Sequence, residues 1–139
     1  MHLSPYLFFG GNCREAFTRY QEIFGGELVL LTMADAPADA GPPPGGDTDA
    51  IMHAALTAGA ELLMGADDPM GNFDGAVSGM CVNCSVVDAI QAKRVFDALS
   101  DAGQVQMPLG ETFFSPVFGM CTDRFGTPWM VMVEMAAAS

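Results

Sequence analysis

The stretch "CREAFTRYQEIFGG" (13–26) decides the fold, because "AKRVFDALSDAG" (92–103) repeats its pattern in the other half of the chain. In the first, Cys13, Ala16, Phe17, Tyr20 and Phe24 recur at i, i+3, i+4, i+7 and i+11, one face of a helix. In the second, Ala92, Val95, Phe96 and Leu99 do the same. Asn12 with Glu15, and Asp88 with Gln91, have the form of helix-capping pairs. Gly25-Gly26 and Gly103 supply the stops.

Strand-like runs surround both helices. In the first half they are "PYLFF" (5–9), "ELVLLTM" (27–33), "IMHAALTAG" (51–59) and "AELLMGAD" (60–67). In the second they are "VSGMCVNC" (77–84), "QVQMPL" (104–109), "FGMCTDRFG" (118–126) and "PWMVMVEM" (128–135). The order is strand, helix, three strands, then the same again. A repeat of about 70 residues is no solenoid period. It predicts an α+β fold of two βαβββ modules, residues 1–70 and 76–136, that bury each other's sheet faces within one domain. Residues 34–50, "ADAPADAGPPPGGDTDA", hold little to bury and read as a flexible loop.

Five Lys and Arg stand against seventeen Asp and Glu, a net charge of −12 over 139 residues. Such a field repels nucleic acid and anionic membranes, so neither is an expected partner. A neutral or cationic small molecule suits it. "MHLSPYLFF" has no basic segment of an export signal, and no apolar run reaches a bilayer-spanning length. The expectation is a cytoplasmic protein without disulfides. Cys81 and Cys84 spell CxxC, but residues three apart in a strand point to opposite faces, so they read as structural thiols.

The segments "SPYLFFGGNCREAFTRYQEIFGGEL" (4–28), "IMHAALTAGAELLMGAD" (51–67), "AKRVFDALSDAGQVQMPLGETFF" (92–114) and "FGMCTDRFGTPWMV" (118–131) carry a family. The chain resembles the vicinal oxygen chelate superfamily (glyoxalase, bleomycin-resistance and dioxygenase proteins), and within it the PhnB-like branch. The resemblance implies modules that each curl their sheet into a half-barrel cleft, commonly in homodimers. Some members of the branch bear the name of a demethylubiquinone methyltransferase. This chain has neither the glycine-rich nucleotide loop nor the alternating strand–helix order of a doubly wound sheet.

Metal-using members of the superfamily place His or Glu on the first and last strands of each module. Here those positions fall at or near Pro5, Met64, Ser78 and Met130. Neither these residues nor their neighbours are His or carboxylate. Thioethers suit Cu(I) rather than the usual divalent ions. No metal and no other cofactor is therefore expected.

Alternation sends Pro5, Leu7 and Phe9 to the cleft, with Tyr6 and Phe8 against the helix. It sends Met130 and Met132 to the cleft, and Trp129, Val131 and Val133 to the core. With Met64, Met80, Phe114 and Phe118 the predicted ligand-binding set is complete; the resemblance expects Trp where Phe114 stands. The same pattern also fits plain core. His53, sharing a face with Ile51 and Ala55, and Glu134, beside Met130 and Met132, are the catalytic candidates. Two functions follow. One is metal-free binding of a small apolar or cationic molecule in a methionine and aromatic cleft. The other is a lyase or isomerase acting on a small oxygenated metabolite through His53 and a carboxylate.

Overall fold

The computed structural model describes residues 1–35, 49–68 and 77–134. The chain divides into two compact units, Met1–Gly75 and Ala76–Ser139. Among the described residues each holds one α-helix and an open four-stranded sheet. The fold is thus α+β, with the βαβββ order twice over. Residues 36–48 of the expected loop lie outside the described residues. Its start is a short 3-10 turn, Met33–Asp35, where Asp35 Oδ2 accepts Thr32 N–H at 2.8 Å.

In the first unit the elements are β1 (Tyr6–Phe9), α1 (Cys13–Phe24), β2 (Glu27–Thr32), β3 (Ile51–Ala58) and β4 (Glu61–Asp67). The sheet order is β1-β4-β3-β2, with β1 parallel to β4 and the other pairs antiparallel. The apolar stripe of α1 buries Cys13, Ala16, Phe17, Tyr20 and Ile23. Ile23 takes the place expected of Phe24. Phe17 meets Phe9 edge-on at 6.0 Å and Tyr20 at 5.5 Å. Full burial of such a ring is worth about 1.5–3 kcal/mol. Gly65 lies under Phe17, where a Cβ would stand 2.7 Å from the ring and 2.6 Å from the Leu7 carbonyl oxygen.

The expected cap on α1 does not form, since the Asn12 side chain makes no capping bond. Asp67, arriving at the end of β4, takes over. Its Oδ1 accepts the N–H groups of Gly11 and Cys13 at 3.0 Å each, and its Oδ2 accepts that of Ile51 at 2.9 Å. A carboxylate satisfies more of the orphan donors than an amide oxygen and complements the helix dipole.

In the second unit the elements are β5 (Val82–Val86), α2 (Ala89–Ser100), β6 (Gln104–Gly110), β7 (Phe118–Thr122) and β8 (Pro128–Val133). The order is β5-β8-β7-β6, again with one parallel pair, β5 with β8. Here the cap forms as expected: Asp88 Oδ1 accepts Gln91 N–H at 2.8 Å, and Gln91 Oε1 accepts Val87 N–H at 3.0 Å. Ala92, Val95, Phe96 and Leu99 are the buried stripe. The strand expected over 77–84 starts only at Val82, because Gly79 at φ +79° turns the chain ahead of it.

Each unit has a close approach of the same kind within itself. A Cβ on Gly26 would come within 2.2 Å of the Thr57 carbonyl oxygen, and one on Gly103 within 2.2 Å of that of Thr122. At both places the chain leaving the helix passes against a neighbouring strand, so glycine is required.

Candidate functional site

Each sheet has a face under its own helix and a face turned away from it, here the distal face. Register decides which residues reach it. In the first sheet Leu7 pairs with Gly65 and Phe9 with Asp67, while Phe9 and Gly65 lie against Phe17. Leu7 and Phe9 are therefore 7% and 0% exposed beneath α1, not on the ligand side as expected. Tyr6 and Phe8 occupy the distal face instead, at 37% and 47% exposure. The expected alternation of β1 is the observed one, with the two faces exchanged.

Tyr6 pairs with Met64, and Met64 with Ala55. Met64 thus reaches the distal face as expected. His53 is two residues from Ala55 on the same face and pairs with Leu31. Ile51 does not share that face. A bulge between Leu31 and Thr32 shifts the register across Met52, and Ile51 is 1% exposed in the core. Bulges re-aim side chains in this way. Val29, Leu31 and Leu62 add apolar surface that alternation from Pro5 did not find.

One polar pair interrupts this surface. Tyr6 Oη lies 3.1 Å from His53 Nδ1, with the ring centroids 5.8 Å apart. The partner of His53 is thus a phenol, not the carboxylate expected for a lyase or isomerase. Burial, and then the nearby Cys13, push the Tyr6 pKa up. Glu134 is exposed just past the end of β8. Asp67, a further acidic residue near a strand end, is committed to three backbone N–H groups.

In the second sheet the distal row is Met107–Met120–Met130–Asn83, one residue from each strand. The next row brings Phe118, Met132 and Ser85 together. Met130 and Met132 face away from α2 as expected, while Trp129 and Val131 are buried at 2% and 0%. Asn83 Nδ2 donates to Ser85 Oγ at 3.0 Å, a polar edge beside the thioethers. Phe114 stacks edge-on to Phe118 at 5.0 Å and to Phe113 at 5.2 Å. The loop carrying it is tied down by Ser115, whose hydroxyl lies 2.7 Å from the carbonyls of Val117 and Val133. Met80 falls outside this face: it precedes β5 and is 58% exposed. Met107, Met120, Asn83 and Ser85 were missed, although Met120 follows from the alternation of β7 alone.

The divalent ion that the resemblance implies does not fit these residues. The distal positions on β1, β4, β5 and β8 are Tyr6 and Phe8, Met64 and Ala66, Asn83 and Ser85, Met130 and Met132. Pro5 and Ser78, expected at two of the ligand positions, both precede their strands. Among the described residues no three of His, Cys, Asp and Glu come together as metal ligands.

Three of the four thiols are poorly suited to act as nucleophiles. Burial, and then Asp67, push Cys13 up to about 12 against the pull of Arg14. Burial, and then Asp123, push Cys121 up to about 11. Burial also raises Cys84. Arg124 pairs with Asp101 at 2.8 Å rather than with Cys121. No described helix is long and apolar enough to cross a membrane.

Residues 1–132 match the family model described as 3-demethylubiquinone-9 3-methyltransferase. Protein YjdN of Escherichia coli (strain K12) is 37% identical over 143 residues, covering 96% of this chain and 95% of that protein. The crystal structure of protein PA1353 from Pseudomonas aeruginosa is 42% identical, with 98% of this chain and 99% of that one covered and a TM-score of 0.84. A PhnB protein from Bacillus cereus is 24% identical, with 96% and 99% covered and a TM-score of 0.77. Two glyoxalase-related enzymes at 12% and 15% identity share the fold, with TM-scores of 0.63 and 0.59.

Proposed function

This chain belongs to the 3-demethylubiquinone-9 3-methyltransferase family, its PhnB-like members included, and we propose that it binds a small apolar or cationic molecule against the distal face of its second sheet. The observation that carries this reading is the row Met107–Met120–Met130, backed by Met132, Phe118 and Phe114. Thioether side chains are flexible and polarizable, so they mould to flat or irregular apolar ligands. The net charge of −12 attracts a cation and repels an anion. Asn83 and Ser85 at the end of the row supply the few polar contacts that orient a ligand.

The reading places the protein in the cytoplasm as a metal-free binding protein and a homodimer of the vicinal oxygen chelate type. Methyl transfer, named in the family's description, is not part of it. The chain has no G-x-G-x-x-G loop between a strand and a helix to hold a nucleotide-bearing methyl donor.

Fluorescence titration with acridine orange, a flat aromatic cation, tests the reading. Saturable binding is expected in the native protein. Met130→Lys, which sets a positive charge in the row, should weaken it by about tenfold or more. Ile90→Lys, an equal charge at an exposed position on α2, should leave it within about twofold. Absence of saturable binding, or equal weakening by both variants, removes the proposal. Sedimentation velocity tests the dimer.

A further inference from the structure

The Tyr6–His53 pair is asymmetric. Its 3.1 Å contact joins a phenol oxygen to one ring nitrogen, Nδ1. Neither side chain has a second hydrogen-bond partner among the described residues. The phenol keeps its proton at neutral pH, since burial moves its titration upward from an already alkaline value. Among the described residues, the one acceptor within reach of that phenol proton is His53 Nδ1. In that arrangement a neutral imidazole carries its own proton on Nε2. The result is a single N–H donor, with no acceptor left on the ring, set on a surface of Phe8, Leu31 and Met64.

We propose that His53 Nε2 donates to the neutral carbonyl oxygen of an apolar small molecule lying across the distal face of the first sheet, with Tyr6 as the positioning residue that sets the tautomer. The surface supplies the apolar requirement, with Val29, Leu31 and Phe8 at 53%, 43% and 47% exposure. Regular alternation from Ala55, with His53 paired to Leu31, sets His53 on this face. The donor-only ring selects an acceptor oxygen, which a carbonyl supplies with no O–H of its own to satisfy. The seventeen acidic residues disfavour a carboxylate in that place, which leaves a ketone or a similar carbonyl. This site is on the first sheet and stands independently of the methionine row.

Two probes of matched shape test it: 1-acetylnaphthalene, which has the carbonyl, and 1-ethylnaphthalene, which lacks it. The native protein is expected to bind the acetyl compound about fivefold more tightly. His53→Ala should abolish that preference and keep the weaker affinity common to both probes. His53→Gln, which retains a side-chain N–H, should restore part of it. Long-range proton–nitrogen NMR should place the imidazole proton on Nε2 in the native protein. In Tyr6→Phe it should show a mixture of tautomers, with a smaller preference for the acetyl probe. Equal or absent binding of the two probes by the native protein overturns the proposal. So does a preference that survives His53→Ala, or a native imidazole protonated on Nδ1. Thermal melts of each variant show whether it is folded when compared.

Discussion

Trp129 donates its indole N–H to Asp123 Oδ2 at 2.8 Å, while Asp123 Oδ1 accepts the N–H groups of Phe125 and Thr127 at 2.9 and 3.0 Å. One carboxylate thereby holds both the β7–β8 turn and the tryptophan that fills the core under α2. Both residues are buried, at 6% and 2% exposure. Asp123→Ala is expected to cost about 3 kcal/mol, because it leaves buried donors unpaired. Urea unfolding followed by the fluorescence of Trp129, the one tryptophan of the chain, measures it. A loss below about 1 kcal/mol would mean that these three bonds act no more strongly than a single ordinary one.

The two helix starts make a matched pair of predictions. Asp88→Ala should cost about 1 kcal/mol, since its carboxylate caps Gln91 N–H. Asn12→Ala should cost less than about 0.5 kcal/mol, since its side chain caps nothing. Asp67→Ala should cost about 3 kcal/mol, because three backbone donors from two segments lose their acceptor. Should Asn12→Ala prove the most damaging of the three, the assignment of the α1 cap to Asp67 is wrong.

Stability should fall in alkali. The Cys13 and Cys121 thiols are raised in the folded state to about 12 and about 11, from an ordinary value of 9.0. Between pH 9 and about 11–12 the unfolded chain sheds these protons while the folded chain keeps them. The unfolded state then binds fewer protons, so stability is intact below pH 9 and is lost as pH rises through that window. Urea midpoints at pH 8 and pH 10.5 should differ more in the native protein than in Cys13→Ala/Cys121→Ala. An identical pH dependence in the two proteins argues against the buried thiols as its source.

Glycine replacement separates steric need from conformational need. Gly65→Ala sets a methyl 2.6 Å from the Leu7 carbonyl and 2.7 Å from the Phe17 ring, and should cost about 3 kcal/mol. Gly59→Ala has nothing within 4 Å and only a φ of +62° to maintain, so about 1 kcal/mol is expected. Chemical denaturation of both variants gives the comparison, and a reversed order contradicts the packing of Phe17 on β4.

The two helical stripes and the strand order around them were legible because amphipathic periodicity is a local property: Ala92, Val95, Phe96 and Leu99 are buried as their spacing predicts. The faces of β8 were legible for the same reason. Two residues of β1 were not. Leu7 and Phe9 alternate correctly with Tyr6 and Phe8, yet alternation says only that the two sets differ, not which of them meets a helix. Pairing of Leu7 with Gly65, which lies under the Phe17 ring, settles the matter. His53 and Ile51 are separated by a bulge that leaves no mark in "IMHAAL".

By itself, then, the sequence determined two βαβββ modules, their buried helix stripes and a chain too acidic to favour anionic partners, because each rests on spacing or on charge count. Only the tertiary structure decided that Asp67, not Asn12, caps α1, that Tyr6 rather than a carboxylate stands against His53, and that four methionines from three strands meet on one face. Those contacts join residues 47 to 56 positions apart in the first unit, or depend on strand register, and register is set by packing across the whole sheet.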